Sequence, residues 1–261
     1  EPAILLPGPS FSLPKLSRGI QQDLNRWKNR YDYAEKVHEP ARVSQDVPRI
    51  AELAETLQEP SLFFLAGFLA NYSGLGISRA KTYFQNALAL DTNHQEAAAA
   101  IAAIALKENE WGNAAKFLLW AVCLEGDMDK TNLVRCIGQC VLRLDTTQYP
   151  LVGQLLTLDL PETARRLAIS LVALAARMDA DAYQLALEGD VDKLRQTKIG
   201  NELFPRKDDI DSPIAARNTR PDEMMKSTFQ ETNRRGRVSA YYPQSSQVSI
   251  SAYFAERLVP A

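Results

Sequence analysis

Ala80-Lys81-Thr82-Tyr83-Phe84-Gln85-Asn86-Ala87-Leu88-Ala89-Leu90-Asp91 decides the fold, because its pattern returns 34 residues later. There it reads Ala114-Ala115-Lys116-Phe117-Leu118-Leu119-Trp120-Ala121-Val122-Cys123-Leu124-Glu125. A small residue (Ala80, Ala114), a large one four positions on (Phe84, Leu118) and a small one three further (Ala87, Ala121) share one helical face. After another 34 residues only the end survives, as Val152, Leu155, Leu156 and Leu158-Asp159. Going back by 34, Ile50, Leu53 and Ala54 keep the apolar positions behind Asp46 and Pro48, which are helix-start signals.

Helical periodicity then extends over most of the chain. It predicts helices near 20–37, 46–58, 61–72, 78–90, 94–108, 111–124, 130–144, 147–158, 161–178 and 180–196, the last two alternatively forming one cap with a short third turn. Gly74 and Gly76, the stretch from Asp91 to His94, and the stretch from Gly126 to Asp129 break the chain between them. The run Ala97–Ala100 favours a thin helix that can be packed on both sides. On either side the composition changes. Residues 1–18 form an arm with Pro2, Pro7, Pro9 and Pro14, a density that favours extended backbone. Residues 198–261 replace the Leu/Ala pattern with Pro, Ser, Asn, Arg and Gln, the mark of an irregular tail. The expected organisation is therefore an arm at 1–18, a helical repeat domain at 19–197 and a tail at 198–261.

The repeat resembles the tetratricopeptide repeat. On helix A that family places an aromatic, then Leu-Gly, then Tyr; on helix B it places Ala, Phe, Ala and Pro. The first copy here reads Phe63, Ala66-Gly67, Ala70, then Ala80, Phe84, Ala87, with one extra residue in the Ser73–Gly76 turn. The second reads Ala98, Ile101-Ala102, Ala105, then Trp111, Ala114, Leu118, Ala121. Thr92 and Gly126 stand where the family has its Pro. The resemblance implies an all-α fold, a TPR-like α-solenoid of helical hairpins. Each such hairpin is too small to bury its apolar stripe alone and stacks on the next.

Composition narrows the function classes. Of 261 residues 46% are hydrophobic, enough for a sizeable core, so a wholly disordered chain is excluded. Thirty basic residues against 32 acidic ones leave a net charge of −2, and so no global field to attract nucleic acid. The uncharged runs Ala97–Leu106 and Leu167–Ala176 are too short to span a membrane. The chain begins at Glu1, which leaves a processed or truncated start open. A cytoplasmic chain is favoured, with a processed periplasmic or membrane-tethered form still open. Three cysteines do not form a disulfide framework. Cys136 and Cys140 read as small buried hydrophobes that share a helix face.

Reaction chemistry has no visible carrier. Metalloprotease, serine-hydrolase, phosphate-loop and dinucleotide motifs are missing. His38 and His94 are the two histidines; each lacks a partner at metal-ligand spacing, and both fit helix-terminal roles. Asp208, Asp209 and Asp211 lack the Gly and Glu of a calcium loop. The expectation is a non-enzymatic chain with no metal and no cofactor.

Binding is the remaining class. The resemblance implies a concave face lined by helix A. Carried over, its residues are Phe64, Phe68, Asn71 and Tyr72, then Glu96, Ala99, Ala103 and Lys107, then Lys130, Leu133 and Ile137. Phe64, Phe68 and Tyr72 form an aromatic stripe suited to an extended or helical peptide. Alternatively, that stripe packs against the helix at 20–37 or a terminal arm. In the tail, ten basic residues outnumber eight acidic ones, and Arg234, Arg235 and Arg237 precede Tyr241 and Tyr242 as a second contact surface. Val248–Phe254 alternates and could add a strand to a partner. The function expected is a protein-protein interaction scaffold, a subunit or assembly factor of a larger complex. The competing reading is a peptide-binding chaperone or regulator, or nucleic-acid contact through the basic tail.

Overall fold

The computed structural model describes residues 3–13 and 16–205. Among these residues the chain is all-helical, with twelve α-helices and no strand. They are α1 Arg18–Lys36, α2 Val47–Leu57, α3 Pro60–Tyr72, α4 Ile77–Leu90, α5 Gln95–Lys107 and α6 Trp111–Cys123. After these come α7 Lys130–Val141, α8 Tyr149–Gly153, α9 Glu162–Ala175, α10 Ala180–Glu188, α11 Val191–Leu194 and α12 Lys198–Leu203. No described helix is long and apolar enough to cross a membrane.

Several of the described helices start where a side chain takes an orphan N–H group. Glu59 accepts from Ser61 N–H at 3.3 Å before α3, and Asp129 from Thr131 N–H at 2.8 Å before α7. Asp179 accepts from both Asp181 and Ala182 before α10. Proline occupies the first or second position of α2, α3 and α8, where a missing N–H costs nothing.

The chain forms two compact units. The first comprises residues 6–101. In it α2 packs on α3, and α3 on α4. The α3–α4 contact is close because Gly67 faces the Phe84 ring. A methyl on Gly67 would lie 2.6 Å from Phe84 Cε1, well inside van der Waals separation. Ala80, Phe84 and Ala87, the small-large-small face read from the sequence, are buried. Arg30 of α1 pairs with Asp46, whose carboxylate is buried in front of α2. Burial raises the Asp46 carboxyl above the ordinary value, against the pull of Arg30 and Arg49.

The second unit contains residues 3–5 and the described chain from 102 onward. In it α6 packs on α7, α7 and α10 on α9, and α8 on α9 and α12. Ala114, Leu118 and Ala121 are buried at 0% exposure, and their counterparts 34 residues earlier are buried too.

Three expectations are corrected. The helix expected at 147–158 is broken into a 3-10 turn at Thr146–Gln148, the short α8, and a second 3-10 turn at Gln154–Thr157. There Gly153 lets α12 come so close that a methyl would sit 2.2 Å from the Leu203 carbonyl oxygen. The helix expected at 180–196 ends at Gly189, whose φ of +71° is left-handed and free of strain only without a Cβ. The tail does not begin at 198, because Lys198–Leu203 is helical, with Thr197 accepting from Gly200 N–H.

Candidate peptide-contact surface

Of the stripe read from α3, the structure covers most. Phe64 is buried, its ring 5.5 Å from Phe84 and 5.2 Å from His94. Phe68 and Tyr72 are half-buried under Tyr31 of α1, at 6.2 Å and 5.1 Å between ring centroids. Tyr31 in turn meets Phe11, a buried residue of the arm, at 5.8 Å. The alternative stated for this stripe, packing against the helix at 20–37 or a terminal arm, fits Phe68 and Tyr72 through Tyr31 of α1, whereas Phe64 packs on Phe84 and His94. Asn71 is the one member that is fully exposed. Burial and the nearby Glu35 carboxylate push both the Tyr31 and the Tyr72 hydroxyl up, so both stay neutral.

The stripe residues from the second copy divide differently. His94 Nδ1 lies 3.0 Å from Glu96 Oε2, and this hydrogen bond holds the Glu96 carboxyl below its ordinary value despite burial. Ala97 N–H also approaches His94 Nδ1, at 3.4 Å; both contacts belong to the start of α5, the helix-terminal role expected for His94. Ala99 is buried and Ala103 half-buried, while Lys107 is exposed at the C-terminal end of α5, where a cation suits the helix dipole.

In the third copy Lys130 is half-exposed at the first position of α7, whereas Leu133 and Ile137 are core residues. Cys136 and Cys140 are buried and free, like the half-buried Cys123. Burial pushes the Cys123 and Cys140 thiols up to about 12, so neither supplies a thiolate nucleophile at neutral pH. Among the described residues no group of His, Cys, Asp and Glu could hold a metal ion. A shallow depression along α9 is bridged by the Arg166–Glu162 pair at 2.8 Å. Arg234, Arg235, Arg237, Tyr241, Tyr242 and Val248–Phe254 lie outside the described residues.

One contact was not anticipated. Asn132, in the first turn of α7, is only 7% exposed and grips the arm. Its Nδ2 donates to the Ala3 carbonyl at 3.2 Å, and its Oδ1 accepts from the Leu5 N–H at 3.2 Å. A second amide holds the arm's other end in the residue 6–101 unit, where Gln21 Nε2 donates to the Leu13 carbonyl. The available sequence signal was a polar residue between Lys130 and Leu133 at a position facing inward.

Compared with protein-family models, with curated proteins and with solved structures, the chain matches none.

Proposed function

We propose that this chain is a non-enzymatic scaffold that holds segments of partner proteins on TPR-like helical hairpins within a larger assembly. The observation that carries the reading is the pair of hydrogen bonds from Asn132 to the backbone of residues 3 and 5. A helix side chain there holds a segment without regular secondary structure through its main chain, which is how a helical scaffold can hold a strand-like partner. Helices that pack on their near neighbours in sequence, as α2, α3 and α4 do, support the repeat reading. The exposed Asn71 and Lys107 and the half-exposed Lys130 are the partner-facing residues of the set. The buried Phe64 supports the hairpin from within.

The test is purification of the full chain from its own cells, with native mass spectrometry of what elutes. The expected result is a complex with a fixed stoichiometry that Asn71→Ala combined with Lys107→Glu and Lys130→Glu dissociates. Elution without a stoichiometric protein partner would overturn the reading.

A further inference from the structure

Asparagine at the start of a helix ordinarily bonds local backbone. Asn132 instead reaches residues 127 and 129 positions away. In an extended chain the carbonyl of one residue and the N–H of the second residue after it point to the same edge. One amide, with its acceptor and donor side by side, matches that edge as a neighbouring strand would. The match reads main chain and not side chains. Leu5 is 69% exposed and Ile4 half-buried, so the resident segment is held chiefly by its backbone. An amide as buried as Asn132 is costly to leave unpaired, so the position favours an occupant that offers it a carbonyl and an N–H side by side.

We propose that Asn132 centres a binding site for the main chain of an extended peptide, and that residues 3–5 are its resident ligand, which a partner's segment displaces. This rests on the scaffold reading and names the chemistry of one of its contacts. Tethering gives the arm an effective concentration in the millimolar range, so a free peptide competes poorly against it. Releasing the arm exposes the site.

Leu5→Pro releases it with little collateral change, because it deletes the N–H that Asn132 accepts from and alters a side chain already in solvent. The probe is a fluorescent hexapeptide with the sequence of residues 3–8, titrated by anisotropy into the full-length chain. The Leu5→Pro chain is expected to bind it at least tenfold more tightly than the parent chain. Adding Asn132→Asp, which keeps shape and acceptor but removes the donor, is expected to abolish that gain; circular dichroism checks that the helices persist. A hexapeptide with proline at its third position is expected not to bind. Equal binding by the parent and Leu5→Pro chains, or a gain that survives Asn132→Asp, overturns the site. Loss of every stoichiometric partner with peptide binding intact overturns the scaffold reading and leaves this site standing.

Discussion

Gly67 and Phe84 offer a direct test of how α3 packs on α4. Gly67→Ala would place a methyl 2.6 Å from Phe84 Cε1 and 2.7 Å from Cδ1, against an optimal carbon separation of about 3.5–4.0 Å. Overpacking of this kind costs about 1–3 kcal/mol, while replacing glycine inside a helix returns about 1 kcal/mol. The expected net loss is therefore about 0–2 kcal/mol, the difference of those two terms. Phe84→Leu alone leaves unfilled space and costs about 1–2 kcal/mol. The double variant puts the new methyl where the ring edge was. It also reproduces the pair that the second copy carries, Ala102 and Leu118, both buried at 0% exposure. Urea unfolding followed by circular dichroism should show the double variant more stable than the sum of the singles by about 1 kcal/mol, a coupling expected of residues in contact. Additivity within about 0.3–0.5 kcal/mol would refute the claim that these two residues set the α3–α4 spacing.

Other expectations follow from single groups. Arg30→Met leaves the buried Asp46 carboxylate without its partner; with Arg30 itself 34% exposed, the loss at pH 7 is about 1–3 kcal/mol, below that of a fully buried pair. The Asp46 carboxyl is raised in the fold, so the folded chain binds this proton more tightly than the unfolded one, and stability falls as pH rises through the folded value. Arg30→Met should therefore regain stability on acidification toward the ordinary carboxylate range near 3.9, and Asp46→Asn should remove that component. Urea midpoints at pH 7 and pH 5 that shift equally in all three chains would contradict it. Native chain at pH 8 should resist iodoacetamide at Cys123 and Cys140, with full labelling only in denaturant; stoichiometric native labelling would refute the burial. Gly189→Ala forces a Cβ into a left-handed helix end and should lower stability by about 1 kcal/mol, read from the thermal midpoint; an unchanged midpoint would count against that end.

The buried helix faces were legible in sequence because packing writes itself there at helical period. Ala80, Phe84 and Ala87 are buried, and so are Ala114, Leu118 and Ala121. The aromatic stripe was legible as a stripe, but its cover was not. Tyr31 stands on a helix outside the 34-residue register, and no local pattern pairs it with Phe68 and Tyr72. Asn132 was missed for a similar reason, since a bond between residues 127 apart leaves no periodicity. The early end of α10 was visible only as a glycine inside an otherwise helical run, which sequence alone tolerates.

The placement of the indoles has a practical use. Trp27 is buried in the residue 6–101 unit, and Trp120 in the other, where Arg143 also lies 4.2 Å over the ring of the half-exposed Trp111. Each unit thus carries its own fluorophore sheltered from solvent. Replacing Trp27 by phenylalanine silences one of them, and the emission that remains reports on the melting of the other unit alone. Whether the two units come apart together or in sequence can then be watched by colour, without labels.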